Sequence, residues 1–136
     1  MKNDLQAPQQ QLPQSERAKF MASFRYAFNG LWYALRTQRN ARVHVCIAIL
    51  AIILGIILHI SAIEFAMVFV AITSVFIAEM FNTVFELCID IAAPDYHPLA
   101  KIAKDMAAGA VLLSAMLAVA IGLFVFVPHI WHLFHP

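Results

Sequence analysis

The chain has 136 residues, 62% of them hydrophobic and 12% charged, with a net charge of +1 and a mean hydropathy of +0.78. One domain of this size has too little interior to hide that much apolar surface from water, so a soluble globule is excluded. A disordered chain, a coiled coil and a nucleic-acid binder are excluded by the same numbers. What remains is an all-α integral membrane protein, with an N-terminal amphipathic surface helix and three transmembrane helices. Cys46 and Cys88 both lie inside apolar runs and imply no disulfide framework.

Residues 1–14 are rich in Gln and Pro and lack the apolar core of a signal peptide, so they read as a disordered tail. Residues 15–38 read as an interfacial helix. Phe20, Phe24, Phe28, Leu31 and Leu35 recur at spacings of three and four, and Arg25, Asn29 and Arg36 fall on the opposite face. Such a helix dips its aromatics into lipid and keeps its basic groups near headgroups. Packing against a protein partner is the alternative.

Residues 39–136 form the membrane domain. Residues 43–63 and 106–136 contain no Asp, Glu, Lys or Arg, and Glu64 is followed by fourteen uncharged residues before Glu79. A spanning helix needs about 20 mostly apolar residues, which predicts spans of about 43–62, 64–91 and 104–128, with Glu79 at the membrane edge. Ala51, Gly55 and His59 in the first span, and Ala110, Ser114, Ala118 and Gly122 in the third, repeat at steps of four. Small residues at that spacing let helix backbones approach closely in lipid. Seven of the nine Lys and Arg residues precede residue 43, and the other two are Lys101 and Lys104. The positive-inside rule then places the N-terminus and the second connection in the cytoplasm and the C-terminus outside.

At the end of the second span the run EMFNTVFELCID, from Glu79 to Asp90, interrupts the apolar pattern. At roughly 100° per residue, Glu79, Asn82, Glu86 and Asp90 share an arc of about 80°, bordered by Thr83. Three carboxylates on one face repel one another and resist burial, so a purely structural stripe explains them poorly. A divalent cation, a Lys or Arg from a neighbouring helix, or a bound proton must offset them. The following turn holds Asp95, Tyr96 and His97 between Pro94 and Pro98, and Lys101, Lys104 and Asp105 lead into the third span. Lys104 suits a phosphate, and Lys101 and Lys104 also serve to hold this connection inside. With only four glycines and no phosphate-cradling loop, any nucleotide site here is built from side chains and metal.

EMFNTVFELCID followed by YHPLAKIAKDMAAGAV, with GLWYALRTQRNARVH upstream, resembles the prokaryotic diacylglycerol kinase and undecaprenol kinase family of small three-span enzymes, over roughly residues 17–128. The run His97-Pro98-Leu99-Ala100-Lys101 with Ala107-Ala108-Gly109-Ala110 is closer to the undecaprenol kinase branch. The resemblance implies ATP-dependent phosphorylation of a membrane lipid alcohol by a homotrimer in the bacterial inner membrane, with active sites between subunits. By resemblance Glu79 is the catalytic base, and Glu86 is a Mg²⁺ ligand that also touches ATP. Asp95, Tyr96, His97, Lys104 and Asp105 match nucleotide contacts, as do Lys19 and Tyr26 on the surface helix. Asn82 and Asp90 match supporting positions.

Phosphoryl transfer needs a metal to bridge phosphates, a cation for developing charge and a group to take the hydroxyl proton, and the stripe together with Lys104 supplies residues of those types. One position departs from the family pattern. Where the family carries a second acidic Mg²⁺ ligand in a Thr-Glu-x-Asn run, this chain has Thr37-Gln38-Arg39-Asn40. The Gln38 carbonyl still offers an oxygen to Mg²⁺ and ATP, without a formal charge. The alternatives are the same chemistry on diacylglycerol and, in a different class, a non-enzymatic proton or cation pathway lined by the stripe. His129, His132 and His135 read as an interfacial belt with Trp131 rather than a metal site, and His44 and His59 as membrane-edge residues.

Overall fold

A computed structural model describes residues 16–135 of the chain; the expected tail at 1–14, Ser15 and Pro136 lie outside the described residues. The described residues form four helices, α1 (Glu16–Thr37), α2 (Arg39–Ile57), α3 (Ala62–Ala92) and α4 (Pro98–Phe134). They divide into two units, one ending at Tyr33 and one beginning at Ala34.

In the first unit, Glu16 sits in the first turn of α1, where the helix dipole favours an anion, and its carboxylate takes the Lys19 ammonium at 2.9 Å. Phe20 and Phe24 meet edge to face at 5.0 Å. Both rings and that of Phe28 are exposed, an apolar stripe of the kind that lies in lipid.

The second unit is organised on α3, against which both α2 and α4 pack. The apolar residues buried there are small or β-branched, among them Ala48 on α2, Val68, Ala71 and Val75 on α3, and Val125 on α4. In lipid no hydrophobic force drives helices together, so close backbone approach through such residues has to supply the attraction. Among the described residues, α2, α3 and α4 are long and apolar enough to cross a membrane, with mean hydropathies of 2.2, 2.0 and 2.8 over their best windows.

The connection between α2 and α3 is closed without a glycine at its left-handed residue. His59 has φ 52°; its N–H donates to the Ile56 carbonyl and the Ile60 N–H to the Gly55 carbonyl, each at 3.2 Å. This is the paired 5→2 and 6→1 bonding that ends many helices. Gly55 serves the same turn by being bare. A Cβ there would come within 2.9 Å of Ile60 Cδ1 and 3.2 Å of Phe65 Cε2, so the small-residue stripe of α2 is used here for turn closure. Ser61 then caps α3: its hydroxyl accepts from the Glu64 N–H at 3.3 Å while the Glu64 carboxylate accepts from the Ser61 N–H at 2.8 Å. Glu64 is therefore committed to a helix end, and its carboxylate also lies 3.7 Å from His129 Nε2 on α4.

Both long helices outrun the bilayer. The 31 residues of α3 rise about 46 Å against a hydrocarbon thickness of about 30 Å, so the turns carrying Glu86 and Asp90 extend the helix beyond the crossing itself. The 37-residue α4 begins at Pro98, ahead of the charge-free run, because local chemistry sets the start. His97 Nδ1 accepts from the Leu99 N–H at 3.2 Å and Pro98 occupies the first turn, where its missing N–H is no loss. Pro128 lies inside α4 without ending it, as proline often does in membrane helices. Beyond it His129 Nδ1 bonds the Val125 carbonyl at 2.9 Å and His135 stacks on Trp131 at 4.3 Å. Among the described residues no three His, Cys, Asp or Glu side chains come together as a metal site.

The turn yields a test. His59→Gly should leave thermal stability in detergent unchanged or higher, whereas His59→Val should lower it by about 1–2 kcal/mol, because a β-branched residue resists the left-handed region most.

Candidate active site

The continuous helix from Ala62 to Ala92 carries Glu79, Asn82, Thr83, Glu86 and Asp90 along one face, buried at its start and exposed at its end. Glu79, Asn82 and Thr83 are 2%, 8% and 4% exposed. Glu86 is half-buried and Asp90 exposed. One helix thus carries carboxylates from a dry position to a wet one, and each meets a different partner.

At the dry end the Thr83 hydroxyl donates to the Glu79 carbonyl at 3.0 Å, a bond that leaves the Glu79 side chain unengaged. Glu79 Oε2 is buried and has no hydrogen-bond partner among the described residues. A buried carboxylate oxygen left in that state costs more than a typical hydrogen bond contributes, so the site demands a donor. One turn on, Asn82 Nδ2 donates to Glu86 Oε1 at 3.2 Å, while Asn82 Oδ1 is buried and has no partner among the described residues. The Asn82 side chain thereby orients Glu86 and presents an amide oxygen on the same face.

At the wet end Lys104 of α4 forms an ion pair with Asp90. Of the charges expected to offset the stripe, a lysine from the neighbouring helix is therefore the one that meets Asp90. Lys101 pairs with Asp105 on its own helix at 2.6 Å. Asp95 and Tyr96 are exposed on the connection between α3 and α4, whereas the His97 ring is engaged as the cap of α4.

Gln38 stands at the start of α2 with extended backbone (φ −95°, ψ 118°), and its side chain makes no capping hydrogen bond. Its carbonyl is thus not used by the helix it precedes. Lys19 and Tyr26 belong to the first unit. There Lys19 is held by Glu16, and the Arg25 guanidinium lies 5.5 Å from the Tyr26 ring centroid.

A residue that sequence reasoning set at the membrane edge belongs to this region. His44 on α2 shares a cavity with Val75 and Phe76, in the turn of α3 before Glu79. That cavity, of about 260 Å³ between α2, α3 and α4, is also lined by Ala48, Ala51 and Gly122. The signal for it was available as arithmetic. Counting equal numbers of residues back and forward from the α2–α3 turn puts His44 level with Val75, about 6 Å along the axis from Glu79.

A family model described as "Prokaryotic diacylglycerol kinase" matches residues 25–126. The chain is 40% identical over 114 residues to undecaprenol kinase from Bacillus subtilis (strain 168), covering 84% of this chain and 93% of that protein. It is 46% identical over 103 residues to a diacylglycerol kinase from Synechocystis, covering 75% of this chain and 59% of the relative's length. Diacylglycerol kinase from Escherichia coli (strain K12) is 30% identical over 94 residues, covering 69% of this chain and 77% of that protein.

The Asp90–Lys104 pair is open to solvent, with Asp90 63% and Lys104 37% exposed, and pairs of that kind contribute less than about 1 kcal/mol. Asp90→Asn should accordingly leave the thermal midpoint in detergent within that margin. A larger loss would make the pair a structural tie between α3 and α4.

Proposed function

The chain belongs to the prokaryotic diacylglycerol kinase family, and we propose that it transfers the γ-phosphoryl group of ATP to the hydroxyl of undecaprenol, giving undecaprenyl phosphate. The observation that carries this reading is the gradient along α3. A buried, unpartnered Glu79 carboxylate oxygen lies at one end, and a solvent-facing Asp90–Lys104 pair at the other. A lipid alcohol arrives from the apolar side and a nucleotide from water, and one helix face serves both. Membership in a kinase family decides against the ion pathway that the stripe alone would also have suited. Diacylglycerol stays the second substrate reading, because the relative from Synechocystis, 46% identical, is a diacylglycerol kinase.

In this mechanism Glu79 accepts the hydroxyl proton, which answers the lack of a donor at Oε2 and makes the alcohol oxygen a better nucleophile. Glu86, steered by Asn82, and the Gln38 carbonyl are the residues that would hold Mg²⁺. Oxygen donors in small number fit an ion that keeps several waters and takes phosphates as its remaining ligands. When bound, Mg²⁺ supplies neutralisation of the phosphate oxygens. Lys104 exchanges its contact with Asp90 for the nucleotide's phosphates, and Asp90 holds it in line beforehand. Asp95, Tyr96, His97 and Asp105, with Lys19 and Tyr26 from the surface helix, contact the nucleotide. The same proposal includes the homotrimer, a bacterial inner-membrane location, and cytoplasmic placement of the N-terminus and the α3–α4 connection with the C-terminus outside.

The experiment supplies γ-labelled ATP and Mg²⁺ to the purified protein with undecaprenol and diacylglycerol in parallel. Label should enter undecaprenol; label in diacylglycerol alone would move the chain to the second reading, and label in neither would end the proposal. Glu79→Gln should lower turnover by about 10²–10⁴-fold with nucleotide affinity nearly unchanged, whereas Glu86→Gln should weaken Mg²⁺-ATP binding itself.

The substitution at the metal position gives a second test. Gln38→Glu restores a negative charge to the Mg²⁺ ligands and should shift the magnesium titration of activity to lower concentration with the same lipid product. A titration that does not move would remove Gln38 from the metal's ligands.

A further inference from the structure

The cavity of about 260 Å³ between α2, α3 and α4 lies wholly within the second unit, and it has a direction. Counting residues away from the two connections puts His44, Val75 and Ala115 level at one end and Ala51, Val68 and Gly122 level at the other, about 10 Å apart along each helix. Of the lining residues His44 alone has a polar side chain, and it stands at the end toward Glu79. Val68, Ala71, Val75 and Glu79 follow one another on the buried face of α3. From Val75, the last of these to line the cavity, to Glu79 is one turn, a rise of about 6 Å. The far end is hydrocarbon throughout.

Volume and polarity together say what fits. Apolar cavities stay dry, and one of about 150 Å³ takes a benzene, so this one has room for roughly ten carbons of a single chain, or about two isoprene units. A polyprenyl alcohol is pure hydrocarbon from the carbon beside its hydroxyl onward. A diacylglycerol instead carries two ester groups close to its hydroxyl and forks there into two chains. Those esters would be buried against a wall with one polar side chain, which is costly without hydrogen bonds to receive them.

We infer that this cavity seats the first isoprene units of undecaprenol with the hydroxyl end toward Glu79, and that its hydrocarbon wall selects a prenyl alcohol over diacylglycerol. The inference rests on the undecaprenol reading above. Lipid tails are as apolar as the wall, so the chain gains little hydrophobic energy by leaving the bilayer for the cavity. What the seat supplies is orientation of the hydroxyl, and in a transfer reaction a misplacement of about 1 Å costs large factors in rate. Ala118 and Gly122, one turn apart on α4, keep the seat open by being small.

The test uses the full chain in micelles with Mg²⁺ and ATP, and with undecaprenol and diacylglycerol at equal mole fraction. Ala118→Leu should lower kcat/KM for undecaprenol about tenfold or more with the ATP KM within about twofold. Gly122→Ala should lower it about fivefold, since one added methyl suffices to discriminate in an apolar pocket. A Cβ at Gly122 meets Phe126 at 3.9 Å, an ordinary contact, so this variant folds even where Ala118→Leu does not. Ala120 is exposed on the opposite face of α4, and Ala120→Leu should stay within about twofold of the parent. Independently of turnover, undecaprenol carrying a photoreactive diazirine in its second isoprene unit should label residues 44–51 and 115–122, in Glu79→Gln as in the parent. Parental efficiency on undecaprenol in Gly122→Ala and folded Ala118→Leu, or label confined to residues outside the cavity, would overturn the seat. Equal efficiency of the parent on both lipids would overturn the selection. Transfer to diacylglycerol alone, or to neither lipid, would strike the substrate reading itself.

Discussion

A carboxylate inside a membrane bundle is the constraint on which the rest of this protein depends. A charged side chain near the bilayer interior is costly unless it is paired, hydrated or protonated. Glu79 is buried, and one of its oxygens has no partner among the described residues. Such an arrangement persists only where the surroundings hold it in place, and here the holding comes from α3 being packed against both α2 and α4. The small residues at those contacts have two consequences: they let the helices approach, and they leave a cavity between α2, α3 and α4.

Its two ends give α3 different work. At its N-terminus every polar group is committed to structure. Ser61 and Glu64 satisfy each other's backbone donors, and Glu64 lies near His129 on α4. At its C-terminal half the polar groups are only partly satisfied, with unpartnered atoms on Glu79 and Asn82 and an exposed ion pair at Asp90. Native proteins leave few buried polar atoms unpaired, and their presence on one face of a single helix is what supports the proposed site there. The capping box anchors one end of α3 so that the other can be left incomplete.

The region also assigns double duties. His97 lies in the turn that the family resemblance ties to nucleotide, yet its ring caps α4, so it fixes the start of the helix that carries Lys104 and Asp105. Lys104 in turn is held by Asp90. The charges that would meet a phosphate are thus kept in place by short-range bonds in its absence, which lowers the ordering that binding would otherwise require.

The sequence by itself determined the class of the molecule, the three apolar helices and the common face of Glu79, Asn82, Glu86 and Asp90. Each follows from composition or from the rise and turn of a single helix, which are local and nearly invariant. The motif at Glu79–Asp90 and the lysine–aspartate pair at Lys104 and Asp105 were legible for the same reason, being fixed spacings along one chain. The tertiary structure decided the rest: that Lys104 answers Asp90, that Glu79 is dry while Asp90 is wet, that His44 lines the cavity between α2, α3 and α4, and that His59 rather than a glycine takes the left-handed turn. These depend on distances between residues far apart in sequence, or on a backbone conformation that histidine rarely adopts. Helix packing sets such distances through shape and small-residue contacts, and no periodicity within one helix encodes them.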